Sequence, residues 1–239
     1  MIDLQKRYEE LKKQNFPDGE RVKFIADLGA SDEIEYHYKL ICKDRDEGTN
    51  LNLSGSFYKH DKEGQELLLE VLNNEKDESL KAFTAYLMAE TLSKLRHRDF
   101  YLEFCNRLIS VMTSLIDTKD ASLRQKIIIA LGWIGALNEI DILTKQMSED
   151  KDSLCRAWSA SSLMQLSFHG VDKEVIQEKT KSYFASAITA ETDLHACGIM
   201  IEAAQILFGK KWISQSAVED VDAEKIEKAR KSAVRFLNK

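Results

Sequence analysis

Between residues 120 and 166 the chain states one helical pattern almost twice: "DASLRQKIIIALGWIGALNEIDILTKQMSE" and then "DKDSLCRAWSASSLMQL". Two more segments fall beneath these, "DESLKAFTAYLMAETL" from residue 77 and "ETDLHACGIMIEAAQIL" from residue 191. Each opens on an acid, as suits a helix N-terminus, and then places an apolar or small residue at every turn. Equivalent positions lie about 32 to 43 residues apart. A repeat of that length is one helix pair that cannot bury its apolar face alone, so the pairs must stack. A single Pro and ten Gly in 239 residues leave such helices uninterrupted.

The period predicts the pairs 63–73 with 78–95, 100–116 with 121–137, 139–148 with 153–168, 172–188 with 193–208, and 211–219 with 223–237. Two short amphipathic helices, 3–14 and 20–28, precede them, separated by the turn signal "NFPDGE". The stretch 33–43 is ambiguous. Ile34, Tyr36, Tyr38 and Leu40 alternate like a strand, whereas Ile34, Tyr38 and Ile41 share a helix face. Helix is preferred beside helical neighbours, with a loop over 44–62, and a small hairpin stays open. Residues 1–62 thus read as an N-terminal helical cap with an irregular loop, and 63–239 as one continuous repeat region.

The repeating pattern resembles HEAT repeats, in particular the short bacterial HEAT-like type. The Asp six residues before an Arg is matched by Asp150 and Arg156, followed by Ala157, Ala160 and Leu163. The preceding unit keeps Arg124, Ala130, Leu131 and Gly132, with Thr118 at the Asp position. Lys81 stands for the Arg one unit earlier, and His195 or Ala196 one unit later. The resemblance implies an all-α, right-handed α–α superhelix, a HEAT-like solenoid of about five helix pairs plus the N-terminal helical region. It also implies that Asp150, Arg124 and Arg156 are structural, linking neighbouring turns.

Few signs of chemistry accompany this. Net charge is −6, which argues against a protein that wraps nucleic acid, since neutralising phosphates needs a basic stripe. Cys42, Cys105, Cys155 and Cys197 are scattered and read as buried thiols in a reducing cytosol. No apolar run approaches membrane-spanning length, and the charged N-terminus is unlike a signal peptide, so the expected location is cytoplasmic. No H-E-x-x-H, phosphate-binding Gly loop or G-x-S-x-G occurs, and neither metal nor cofactor is expected. Glu191 and His195 read as an ordinary helix-surface pair, and Gly132 and Gly135 as close-packing positions inside one helix.

With the second helices in register at Arg124 and Arg156, positions two residues on are Phe83, Lys126 and Trp158. Positions nine on are Glu90, Trp133 and Gln165. At 100° per residue these offsets differ by about 20° and share a helix edge. The six residues would form one mixed strip across the stack, a candidate partner-binding face rich in Trp. The alternative is that both Trp plug the gap between paired helices.

The expected function is a non-enzymatic protein–protein interaction module. Its partner would be another protein, a basic toxin or an enzyme, and its role that of an immunity protein or an assembly scaffold. The alternative is a HEAT-like DNA glycosylase using Trp133, Trp158 and Trp212, which acidity and the missing Asp oppose. A lyase or chaperone for a bilin pigment is a third, lacking any Cys or His on the strip.

Overall fold

The computed structural model describes residues 3–239, which form thirteen α-helices, one 3-10 helix and no strand. An N-terminal group, α1 (Leu4–Lys13), α2 (Asp18–Gly29), α3 (Ile34–Glu47) and a 3-10 helix (Leu53–His60), leads into five pairs. These are α4 (Asp61–Asn74) with α5 (Glu78–Lys94), α6 (Tyr101–Leu115) with α7 (Ala121–Ile134), and α8 (Glu139–Glu149) with α9 (Ser153–Phe168). There follow α10 (Lys173–Ala190) with α11 (Leu194–Leu207), and α12 (Gln215–Glu219) with α13 (Ala223–Leu237). The protein is an all-α solenoid whose buried apolar residues run as one cluster from Leu4 to Leu237.

The second helices begin alike because each has an Asp N-cap. Asp77, Asp120, Asp152, Asp193 and Asp222 accept from backbone N–H groups of the first turns of α5, α7, α9, α11 and α13. Such caps satisfy donors that a helix start leaves unpaired. Helices α5, α7, α9 and α11 each pack along the next. Small residues set how closely: a Cβ on Gly132 would lie 2.7 Å from Ser162 Oγ, and Ala130, Ala157, Ala160 and Ala196 are fully buried. The second helices therefore approach one another more closely than the first helices do.

An ionic ladder ties these helices at their N-terminal ends. Arg124 donates from Nε and Nη2 to both carboxylate oxygens of Asp150 at 2.8 and 2.7 Å, and from Nη1 to the carbonyl of Thr118 at 2.8 Å. Arg156 repeats this one turn later, with Nε and Nη2 on Glu191 at 2.8 Å and Nη1 on the Asp150 carbonyl at 2.8 Å. Each acid also takes a backbone N–H of its own loop, Asp152 on Asp150 and Asp193 on Glu191. Glu191 is thus no surface partner of His195. Its side chain is wholly buried beneath Arg156, while His195 is exposed. Burial alone would raise the Glu191 carboxyl; the Arg156 guanidinium and the loop amides outweigh that and hold it below the usual carboxylate range.

Several expected boundaries move. The helix preferred over 33–43 is present from Ile34, because the buried set His37, Tyr38, Leu40 and Ile41 has helical spacing. The expected loop over 44–62 is largely wound: α3 runs on to Glu47, and Leu53 and Phe57 anchor the 3-10 helix in the core. Helix α7 stops at Ile134, so Gly135 is not inside it. Gly135 is extended (φ −63, ψ 161), and the Glu139 carboxylate takes the Ala136 N–H at 2.6 Å. Helix α12 starts late because the Gln205 amide holds Trp212 and Ile213 in non-helical backbone. Cys105, Cys155 and Cys197 are buried; Cys42 is half-buried.

Within the N-terminal group two buried imidazoles tie α3 to the 3-10 helix. His37 Nε2–H donates to the Leu53 carbonyl at 2.8 Å, so its Nδ1 accepts from His60 Nε2–H at 2.8 Å. Both rings are neutral in this arrangement, and burial pushes His37 down to about 4 and lowers His60 as well.

Removing one rung leaves a buried carboxylate unpaired. Arg156→Met is expected to cost about 3–5 kcal/mol in denaturant unfolding, and Arg156→Met/Glu191→Leu to recover a large part. Equal stability of Arg156→Met and the parent would refute the ladder's role. A second expectation concerns acid. Unfolded imidazoles take up protons near their ordinary 6.5, whereas the folded ones resist. Stability is therefore complete above pH 6.5 and declines toward pH 4 by up to about 1.4 kcal/mol per pH unit for each ring. His37→Gln should be less stable at neutral pH yet lose less between pH 7 and 5; an unchanged loss would dismiss the histidine pair as its source.

Candidate functional site

The six strip residues lie on consecutive second helices: Phe83 and Glu90 on α5, Lys126 and Trp133 on α7, Trp158 and Gln165 on α9. All six are half-buried. The aromatic rings rest one flank on the core and leave the other to solvent. Neither Trp is a sealed plug between paired helices. Trp133 meets Tyr86 of α5 at 5.0 Å between ring centroids, and its carbonyl accepts from Arg96 Nη2 at 2.8 Å. These contacts bridge α5 and α7 across the face.

Register also exposes what the two-position pattern omitted. Three residues beyond Phe83, Lys126 and Trp158 stand Tyr86, Ile129 and Ser161, all half-buried on the same edge. They were legible as the intervening helical turn. The next helix needs a corrected register. The loops Asp150-Lys151-Asp152 and Glu191-Thr192-Asp193 fold alike, each with its first acid bonded to the N–H two residues on. That places Cys197, not His195 or Ala196, at the position of Arg156. The strip then continues on α11 through Ile199, Glu202 and Ile206. Ile206 is 39% exposed, unusual for an Ile whose helix is otherwise deeply packed. Arg230 of α13 takes over part of the missing Arg's work, donating from Nη1 to the Glu191 carbonyl at 2.8 Å.

The face is chemically mixed. Glu90 is paired with Lys94 at 3.0 Å. The other ion pairs of α7 and α9 are the ladder's, so Lys126 has no carboxylate partner among the described residues. Burial, then Glu219, raises the Glu202 carboxyl. At the first end, a pocket of about 290 Å³ opens between α3 and α5, lined by Ile41, Arg45, Phe83, Tyr86 and Glu90 among others. The Arg45 guanidinium lies over the Phe83 ring at 4.9 Å, a cation–π contact. On this edge no carboxylate stands between Trp133 and Trp158. Trp212 belongs to the last pair instead, 5.7 Å from Phe236. Among the described residues no three His, Cys, Asp or Glu side chains come together as a metal site, and no helix is long and apolar enough to cross a membrane.

Arrays of this kind present an extended inner surface suited to holding another macromolecule. Comparison with known proteins agrees on architecture. Residues 61–164 match the family model of HEAT repeats. No curated protein and no solved structure matches the chain. HEAT repeats serve in general as protein-interaction modules. From α4 through most of α9 the chain thus matches HEAT repeats, and α10 to α13 extend the same stack beyond the matched residues.

Proposed function

We propose that the chain is a non-enzymatic binding module that holds a partner protein along the second-helix face from α5 to α11. The observation that carries this is the pair Trp133 and Trp158, half-exposed on neighbouring helices beside the unpaired Lys126. Trp at such positions combines a rigid apolar body with a polar tip and is the residue type most often found as an interface anchor. Tyr86, Ile129 and Ile206 widen the apolar part of the face, and Gln165 and Glu202 give it polar margins. The acidic chain favours a basic partner, either a toxic protein that it neutralises or an enzyme whose assembly it supports.

The test begins with stability. Trp133→Ala and Trp158→Ala should each unfold with less loss than the about 3–5 kcal/mol of a fully buried Trp. Trp133 should be the costlier because of Tyr86. Affinity purification with the parent chain, run beside both variants, should recover a partner that either variant loses, with affinity down by about 2 kcal/mol or more. Charge reversal at Lys126 should act chiefly on association rate and its salt dependence. Early unfolding of both Trp variants would make the strip packing rather than interface. Tight, steeply salt-dependent binding of duplex DNA would overturn the proposal in favour of nucleic acid.

A further inference from the structure

A second surface lies where α3 meets α4. A groove of about 590 Å³ opens between them, within the usual range of binding pockets. Its floor is apolar: Ile34, Tyr36 and Leu67 line it, each half-buried and resting on the core. Its walls are carboxylates. Asp32, Glu33 and Glu35 at the start of α3 face Glu63, Glu66 and Glu70 of α4. Lys39, the one base among the lining residues, pairs with Glu35 at 3.7 Å.

The fold makes little use of these acids. Glu33 stands at the N-cap position of α3 without making a side-chain cap bond, and Glu66 meets only Lys62, at 3.7 Å. Glu63, Glu66 and Glu70 follow one another at i, i+3 and i+7, where like charges one turn apart weaken a helix. Nor do they converge on an ion, since no three side chains come close enough to hold a metal among the described residues. Of these acids only Glu33 acts on the Tyr36 phenol. Burial first, then Tyr8 and the acids Glu9, Glu33 and Asp3, push the Tyr36 phenol up to about 12. Spread-out carboxylates over a half-open apolar floor suit a ligand whose cations are themselves spread along an apolar body. Helix-in-groove recognition has that form.

We infer that the α3–α4 groove docks a basic amphipathic helix of a partner protein, its apolar side chains on Ile34, Tyr36 and Leu67 and its Lys or Arg heads against the two acidic walls. This surface is separate from the Trp strip on α7 and α9, so either can fail while the other stands.

The probe is a labelled synthetic helix with leucines on one face and lysines on the other, titrated into the full chain by fluorescence anisotropy. Saturable, salt-sensitive binding is expected. Glu63→Gln/Glu66→Gln/Glu70→Gln should weaken it about tenfold, as loss of three exposed ion pairs implies. The triple variant Glu174→Gln/Glu178→Gln/Glu224→Gln removes equal charge elsewhere and should change it by less than about twofold. Leu67→Ser should weaken it too, through the floor. The α4 triple variant should melt at or above the parent temperature, since it relieves like-charge repulsion. Equal weakening in both triple variants would reduce the effect to net charge and overturn the proposal. So would no saturable binding to the parent, or amide-exchange protection on α5 and α7 in place of α3 and α4.

Discussion

Arg124 and Arg156 each hold three things at once: their own helix, the loop before it, and the acid that opens the next second helix. A stack of amphipathic pairs needs such a device. Apolar burial is non-directional, so it brings helices together without deciding their relative rotation. A bidentate guanidinium–carboxylate pair has a narrow geometry. Placed one helical turn from the N-cap and repeated, it fixes how α7 sits against α9 and how α9 sits against α11. The buried acids are secured twice, by the guanidinium and by loop N–H groups, so that Glu191 stays ionised although no solvent reaches its side chain.

That shared orientation makes the second-helix face useful. Because the ladder holds α7 against α9, Ile129 and Ser161 come into line and the half-exposed rings of Trp133 and Trp158 share one surface, which Tyr86 of α5 joins through its contact with Trp133. Close approach at Gly132 and Ser162 draws the helices together so the surface is continuous. The ladder changes hands where α11 lacks its Arg. Arg230 reaches Glu191 from α13, so the terminal pair closes the stack as well as covering its apolar end.

Charge is unevenly placed on this acidic chain. The strip carries an unpaired Lys126 and an ion-paired Glu90, while six carboxylates line the α3–α4 groove. The two surfaces therefore address different features of a partner, aromatic contact in one case and cationic side chains in the other. The cap beside the groove relies on neutral groups: His37 and His60 tie it together, and the Tyr38 hydroxyl joins it to Thr84 of α5 at 2.7 Å.

Helix type, pairing and stacking were decided by the sequence alone, because 3.6-residue periodicity and an Asp at each second-helix start are local properties. Arg124, Asp150 and Arg156 were legible too, through the resemblance to HEAT repeats that they carry. The role of Glu191 was not. Its acid-x-Asp loop matches Asp150-Lys151-Asp152, but nothing local says that a Glu will be sealed beneath an Arg 35 residues earlier. The 3-10 turn after α3 was equally hidden, since Leu53, Phe57 and His60 are ordinary loop-like residues until the core and His37 receive them. The strip fell between these cases. Periodicity placed its six residues on one edge, but whether a Trp there is core or surface depends on how near the neighbouring helix comes. That distance is set by the small side chains of another repeat, and only the tertiary structure decides it.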